Sequence, residues 1–214
     1  SMARSTGAAT ALELSEQELP PSAHETIGPF LREVGLLGQR TAELHVALAC
    51  STDDRQFAPE PFNWHYQRSW YQSMRTLTKE VSAALRRHLH ALPPSTAAEA
   101  QRLIQLEDQL LGQLRAIHER KLTGLRIRGH SDLHLGRVLY TGKDFMLCGF
   151  AGDLGRPLAE RRAKRSCLND VAGMLRSFHY ASYTALFARD IGGIVRKEDL
   201  EVLESWARYW EAWV

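Results

Sequence analysis

Apolar residues recur at intervals of three and four along much of the chain, a spacing that predicts amphipathic helices. We predict one helix over residues 28–49, a second over 63–91 and a third over 96–120. The Pro93-Pro94 pair ends the second, and so short a turn between long helices predicts an antiparallel pair. The positions that define the buried faces are Leu37, Thr41, Leu44 and Leu48 in the first helix, Trp70, Met74, Leu77, Val81, Ala84 and Leu85 in the second, and Leu103, Leu106, Leu110, Leu114 and Ile117 in the third.

Polar residues at the junctions predict where these helices start. Asn63 is the expected N-cap of the second helix, and Thr96 followed by Glu99 has the spacing of a capping box for the third. Towards the C-terminus the same periodicity predicts a helix over 169–188 and a last helix that starts near Lys197. Their apolar faces are Val171, Met174, Leu175 and Phe178 in the former, and Leu200, Leu203, Ala207 and Trp210 in the latter.

Short apolar runs alternate with turns between these two groups of helices. Residues 125–128, 137–140 and 145–148 are predicted strands, and 141–144 is a polar turn between the last two. The loop between the first two strands reads His130-Ser131-Asp132-Leu133-His134. A loop held by strands can expose a carboxylate while keeping its position, so this loop is the candidate catalytic segment.

Composition narrows the class of protein without changing this picture. The chain has 214 residues, of which 44% are hydrophobic and 24% charged, as in ordinary globular proteins. A net charge of +2 gives no strong attraction to nucleic acid or membrane, and no apolar run approaches the roughly 20 residues of a membrane span. The three cysteines are odd in number and lack metal-ligand spacing, which favours a reducing cytoplasm. We predict a mainly α fold with a small β element.

The segment 125–180 resembles the catalytic core of the maltokinases, relatives of the aminoglycoside phosphotransferases within the protein-kinase-like superfamily. The likeness rests on the loop around Asp132 and on the runs TGKDF, RPLAERR and DVAGMLRSFHYAS. It extends upstream through LLGQRTAELHVAL and FAPEPFNWHYQRSWYQSMR. The resemblance implies that residues 25–214 form the helical C-terminal lobe of a kinase-like fold. The Ala-, Ser- and Thr-rich composition of the first 24 residues predicts that residues 1–24 are a tail or linker. Because the sequence shows neither a run of several strands nor a glycine-rich phosphate loop, we expect the nucleotide-binding N-terminal lobe to be absent.

The resemblance also implies roles for residues of the loop. Asp132 matches the catalytic base that accepts the proton of the acceptor hydroxyl, while His130 and His134 support the loop, and Ser131 replaces a family glycine. Asp170 would reach back from the first turn of the 169–188 helix to hydrogen-bond the loop, or it simply faces the helix dipole. A further alternative is a zinc site formed by the two histidines and Asp132.

The positions that hold magnesium in the family carry other residues here. Arg137 stands where the family has Gln or Asn, and Gly149 and Ala151 replace the Asp and Glu of an Asp-Phe-Glu motif. We therefore expect no metal ligand at these positions, and neither ATP nor magnesium as a cofactor of this chain. Arg137 could instead pair with a phosphate or with Asp132, and Asp153 offers another carboxylate nearby.

Two further groups have simpler interpretations. The basic run Arg156, Arg161, Arg162, Lys164 and Arg165 lacks interleaved aromatics, so a solvated or salt-bridged face is favoured over a nucleic-acid site. The aromatics of the second helix could stack on a sugar, but their helical spacing favours a core or a lobe interface. These aromatics are Trp64, Tyr66, Trp70 and Tyr71.

The resemblance leads to two functional hypotheses. The family activity is ATP-dependent phosphorylation of maltose to maltose 1-phosphate, on the route from trehalose to a glycogen-like glucan and often together with trehalose synthase. Maltose and trehalose synthase are thus the implied sugar and partner. Because the metal ligands and the nucleotide lobe are missing, we expect this chain to be inactive alone. The alternative is a non-catalytic pseudokinase module that binds a sugar or a partner protein.

Overall fold

A computed structural model of the protein describes residues 16, 18, 21–50 and 52–187, together with positions 199, 203, 204, 207 and 210. These described residues are mainly helical with two short antiparallel strand pairs, so the predicted fold class is confirmed at this level. They divide into two compact units. The helical unit is Glu60–Arg126, and the loop unit joins the described residues up to Pro59 with those from Ile127 onward.

Most of the predicted elements are present. Among the described residues, the helices are α1 (Pro21–Ile27), α2 (Pro29–Leu48), α3 (Trp64–His88), α4 (Pro94–Gln105), α5 (Glu107–Glu119), α6 (Leu158–Arg161) and α7 (Leu168–Phe187). The strands are β1 (Glu60–Pro61), β2 (Leu125–Arg126), β3 (Val138–Tyr140) and β4 (Phe145–Leu147), with β1 paired to β2 and β3 paired to β4. Short 3-10 turns occupy Leu89–Ala91 and Leu135–Arg137.

The helical unit is built on the packing of α3 against α5. At one end the buried Gln67 side chain donates through Nε2 to the carbonyl oxygens of Ile117 and Arg120, each at 2.6 Å. At the other end Arg86 Nη2 lies 2.6 Å from Glu107 Oε2. The start of α3 therefore meets the end of α5, and the predicted antiparallel arrangement is confirmed.

The two predicted helix starts have different outcomes. Asn63 caps α3 as predicted, because its Oδ1 accepts a hydrogen bond from the Tyr66 amide at 2.8 Å. The capping box of Thr96 and Glu99 is wrong. Helix α4 already begins at Pro94, whose fixed φ suits the first helical position, so Thr96 lies inside the helix.

The third predicted helix is interrupted, and much of its predicted buried face is exposed. Leu106 separates α4 from α5, so the single helix over 96–120 is wrong. The prediction of burial is wrong at several positions, because a small helical unit offers each helix few neighbours to pack against. The exposed positions are Leu77, Val81, Leu103, Leu106 and Leu110.

The core of the loop unit lies between α2, the candidate loop and one face of α7. Both helices lie within a residue or two of the predicted bounds. Val171 and Leu175 were expected on the buried face of α7 but are exposed, so the apolar stripe of this helix is narrower than predicted. The buried cluster consists of Leu37, Leu133, Met174 and Phe178.

A hairpin of β3 and β4 completes the loop unit. Its turn over 141–144 is closed by a hydrogen bond of 2.8 Å from the Thr141 amide to the Asp144 carbonyl, as the polar turn predicts. Arg40 on α2 donates to both carboxylate oxygens of Asp144, at 2.8 and 2.9 Å. This bidentate pair ties α2 to the hairpin.

The C-terminal helix predicted from Lys197 lies largely outside the described residues. Of its predicted face, Ala207 is buried, and the Trp210 ring lies 5.9 Å from the ring of Phe178. Within the described part of the chain, no helix combines the length and apolar character that crossing a bilayer requires.

Candidate functional site

The candidate loop is held at both ends by hydrogen bonds that its backbone makes, at one end to backbone and at the other to a side chain. Ile127 pairs with Arg165 in an antiparallel bridge, with both N–O distances at 2.9 Å. At the other end the Leu135 amide donates to Ser177 Oγ on α7 at 2.9 Å. The loop therefore spans a fixed gap between the 165 segment and α7.

Asp170 in the first turn of α7 holds the middle of the loop. Its side chain is buried, with 2% exposed, and it accepts hydrogen bonds of 2.8 Å from the amides of His130 and Ser131. His45 Nε2 on α2 lies 3.2 Å from the same carboxylate. Burial would raise the pKa of Asp170, but the hydrogen bonds from these three residues outweigh it and hold the pKa below its usual value. Asp170 is therefore an ionised anchor.

The contact with Asp170 also constrains the backbone around it. A Cβ at Gly129 would lie 2.7 Å from Asp170 Oδ2, so only glycine lets the loop approach this closely. Ser131 has a φ of 66° and is the one described non-glycine residue in the left-handed region. A serine there costs about 1 kcal/mol relative to glycine. The hydrogen bonds from the His130 and Ser131 amides to Asp170 hold the loop in this conformation.

His130 links the loop to the end of β4. Its ring is buried with 1% exposed, and Nε2 donates to the Cys148 carbonyl at 2.8 Å. The ring also lies 4.8 Å, centroid to centroid, from that of Phe150. This geometry places the histidine in a bracing position and turns its Nε2 away from solvent.

Asp132 is half-buried at the edge of a cleft, and its carboxylate is paired with arginine. Arg137 Nη2 lies 2.8 Å and Nε 3.3 Å from Asp132 Oδ2. His134 Nε2 is 3.9 Å from the same oxygen, while His134 Nδ1 accepts from the Gly136 amide at 3.1 Å. One carboxylate oxygen of Asp132 is thus occupied by a guanidinium.

The cleft has a volume of about 650 Å³ and is formed by the loop, the 153–165 segment and α7. Its α7 face follows helical spacing. A Cβ at Gly173 would lie 2.7 Å from the Leu133 carbonyl oxygen, so this glycine allows α7 to pack against the loop. The residues of α7 that line the cleft are Asn169, Ala172, Gly173, Arg176, Ser177 and Tyr180.

Part of the basic run lines this cleft instead of forming only a solvated face. Arg156 lies 3.3 Å from Asp153 and 3.6 Å from Glu160, as the salt-bridged interpretation expects. Arg161 and Arg165 also line the cleft. Sequence reasoning missed this because it could not place the 153–165 segment beside Asp132.

Comparisons with solved structures identify the fold. A glucosamine kinase in complex with glucosamine, ADP and inorganic phosphate matches with a TM-score of 0.65 and 22% identity over 88% of this chain and 40% of that one. Another glucosamine kinase structure, crystal form A, matches with a TM-score of 0.65 and 21% identity over 95% of this chain and 44% of that one. The chain has a kinase-like fold.

This likeness has definite bounds. The chain spans less than half the length of the glucosamine kinases it matches. At this identity the likeness shows the fold alone, so the maltokinase family and the C-terminal lobe stay predictions. No protein-family profile matches the sequence.

Magnesium is the metal that the maltokinase resemblance raises, and the residues at its three matching positions do not fit this ion. Arg137 brings a positive charge to the carboxylate, and neither Gly149 nor Ala151 carries a side-chain oxygen. The zinc alternative also lacks convergent ligands: within the described residues no three His, Cys, Asp or Glu side chains are grouped to hold a metal. Asp153 accepts from the Gly155 amide at 2.9 Å and from Arg156.

The predicted aromatic group lies in the helical unit. Tyr66 and Trp70 pack around Phe62, and the Tyr71 ring stacks on His118 at 4.3 Å. Trp64 is 54% exposed, so for this residue the core alternative is wrong and the lobe-interface alternative stays a prediction.

Sequence reasoning also missed two residues that position the loop, His45 and Ser177. His45 follows Thr41 by one turn on the buried side of α2, and a histidine at such a position is the signal that would have found it. No comparable signal marks Ser177, because its partner is a backbone amide.

Proposed function

We propose that this chain is the sugar-binding C-terminal lobe of a maltokinase-like protein and that it does not transfer phosphate by itself. The observation that carries the proposal is the pairing of Arg137 with Asp132 at 2.8 Å, on a kinase-like fold. A maltokinase needs its catalytic carboxylate free to accept the acceptor proton and a metal to neutralise the transferring phosphoryl group. Here a guanidinium occupies one oxygen of that carboxylate, and the family metal positions offer no ligand.

The cleft supports the sugar-binding part of the proposal. Ser131, Asn169 and Ser177 supply hydroxyl and amide groups that can hydrogen-bond sugar hydroxyls. Tyr180 lines the same cleft and is 73% exposed, so its ring is free to lie against a sugar face. Maltose is the proposed sugar, and the cytoplasm is the proposed location.

A phosphoryl-transfer assay with ATP, magnesium and maltose tests the proposal. We expect no maltose 1-phosphate from the chain alone. We also expect activity from a fusion of a maltokinase nucleotide lobe with a variant carrying Ser131→Gly, Arg137→Gln, Gly149→Asp and Ala151→Glu, which restores the family residues. The matched control adds Asp132→Asn, whose amide cannot accept the hydroxyl proton, and should abolish that activity.

Two outcomes of the assay would each overturn one part of the proposal. Phosphorylation of maltose by the unaltered chain would show that Arg137 does not disable Asp132. A restored fusion that folds and binds ATP with magnesium but leaves maltose unchanged would remove the maltokinase assignment.

A second candidate function is a pseudokinase module that binds a partner protein such as trehalose synthase. The observation that favours it is a set of exposed apolar residues at helical spacing in the helical unit, which mark interaction surfaces in many proteins. They are Leu77 and Val81 on α3, and Leu103, Leu106 and Leu110 along α4 and α5. Co-sedimentation with trehalose synthase, lost in a Leu77→Lys, Val81→Lys variant and kept in an Arg75→Lys control, would establish it.

A further inference from the structure

The cleft beside Asp132 carries an excess of arginine. Its lining includes Arg156, Arg161, Arg165 and Arg176, set against three carboxylates, those of Asp132, Asp153 and Glu160. Each of these carboxylates already has an arginine partner, since Arg137 pairs with Asp132 and Arg156 lies near the other two. The remaining arginines are therefore available to a ligand.

Three of these arginines, Arg161, Arg165 and Arg176, have no carboxylate partner among the described residues. Arg165 is held by its backbone bridge to Ile127, and Arg176 projects from α7 on the same helix face as Asn169 and Gly173. Arg161 adds a further polar group to the cleft: Nη1 donates to the Ala151 carbonyl at 2.8 Å, while its buried Nε has no partner in the described part of the chain. Guanidinium groups suit phosphate, which they bind through paired N–H donors.

We infer that this cleft binds a phosphorylated sugar, with Arg165 and Arg176 on its phosphate group and no metal ion between them. The inference rests on the proposed sugar-binding function and adds the charge of the ligand. The residues at the family metal positions agree with metal-free binding, because Arg137 already supplies positive charge beside Asp132. The side-chain amide of Asn169 can hydrogen-bond the sugar, as can the Ser131 hydroxyl, whose one bond within the loop is a long contact of 3.5 Å to the Gly129 carbonyl.

Titration calorimetry of the chain in buffer with EDTA, at low ionic strength, tests this inference. The probes are maltose 1-phosphate, maltose and inorganic phosphate. We expect maltose 1-phosphate to bind at least about tenfold more tightly than either other probe, because charge-assisted hydrogen bonds to phosphate add to those of the sugar. Raising the salt concentration should weaken the binding of maltose 1-phosphate and leave the binding of maltose unchanged.

The variants Arg165→Gln and Arg176→Gln should each weaken the binding of maltose 1-phosphate by about tenfold without changing the affinity for maltose. Arg162→Gln is the matched control, since it removes the same charge from an exposed residue of the same run that does not line the cleft. Arg176 is exposed, so its replacement leaves the core intact, and a thermal melt verifies this.

The outcomes separate this inference from the proposed function. Equal binding of maltose and maltose 1-phosphate, unaffected by Arg176→Gln, would overturn the phosphate site and leave sugar binding standing. Equal binding of inorganic phosphate and maltose 1-phosphate, with no binding of maltose, would overturn the claim for a sugar ligand and count against the proposed function. An equal loss in Arg162→Gln would assign the effect to net charge and overturn the site.

Discussion

The side chain of Arg137 fills the space beside Gly149: a Cβ at Gly149 would lie 2.8 Å from Arg137 Cδ and 3.1 Å from Nη1. The same arginine bonds Asp132 at 2.8 Å. One side chain thus binds the candidate base and occupies the space that a Cβ at position 149 would need, the position that the resemblance matches to a metal-binding Asp of maltokinases. The two residues at which this sequence departs from the maltokinase pattern are therefore in contact.

This contact predicts that substitutions at Gly149 and Arg137 have non-additive effects on stability. Gly149→Asp alone should lower the free energy of unfolding by about 1–3 kcal/mol, because the residue has a φ of 84° and its Cβ meets Arg137. Adding Arg137→Gln, which shortens the obstructing side chain, should recover at least about 0.5 kcal/mol of that loss. Urea denaturation of both single variants and the double variant measures the coupling, and strictly additive effects would contradict it.

Ser131→Gly should raise the free energy of unfolding by about 0.5–1 kcal/mol. Ser131 has a φ of 66°, a conformation that glycine adopts without the steric cost. The hydrogen bond from its backbone amide to Asp170 survives the change. Ser73→Gly in the middle of α3 is the contrasting control and should lower stability by about the same amount, since glycine weakens a helix interior. A loss of stability in Ser131→Gly would show that the hydroxyl matters more than the backbone.

Asp170→Asn should lower the free energy of unfolding by about 2–3 kcal/mol at neutral pH, because the buried amide would face backbone donors that now bond a carboxylate. Folding lowers the pKa of Asp170. The stability that its carboxylate contributes is therefore fully present above the unfolded pKa of about 4 and is lost as pH falls through the folded pKa.

The difference in stability between wild type and Asp170→Asn should therefore be constant above about pH 5 and shrink below about pH 4. Guanidinium denaturation across this range measures it. Asp53→Asn, at an exposed aspartate, is the matched control and should show little difference at any pH. A difference that grew on acidification would mean that Asp170 is not held as an ionised anchor.

Gly173→Ala should destabilise the protein by about 1–3 kcal/mol, because its Cβ would meet the Leu133 carbonyl oxygen at 2.7 Å and the backbone must shift. Gly112→Ala in α5 is the opposite case, with no described atom within 4 Å of the new Cβ, and should stabilise by up to about 1 kcal/mol. Thermal melts of both variants test the pair. Similar changes in both would show that helix propensity alone decides the result at Gly173.

Local chemistry was enough to predict much of this protein from its sequence. Helix α2 and the Asn63 cap follow from apolar spacing and from a side chain that reaches a nearby amide. The loop around Asp132 follows from short apolar runs broken by polar turns. In each case the interacting groups lie a few residues apart in the chain, so their order in the sequence already determines their contact.

Contacts between distant segments were decided only by the tertiary structure. The pairing of His45 with Asp170 and the placement of Arg165 and Arg176 on one cleft join residues far apart in sequence. The exposed face around Leu103 shows the same limit, because periodicity marks an apolar side but does not say whether a neighbour covers it. Burial and ion pairing depend on which elements meet in space, and a pattern along one element does not contain that information.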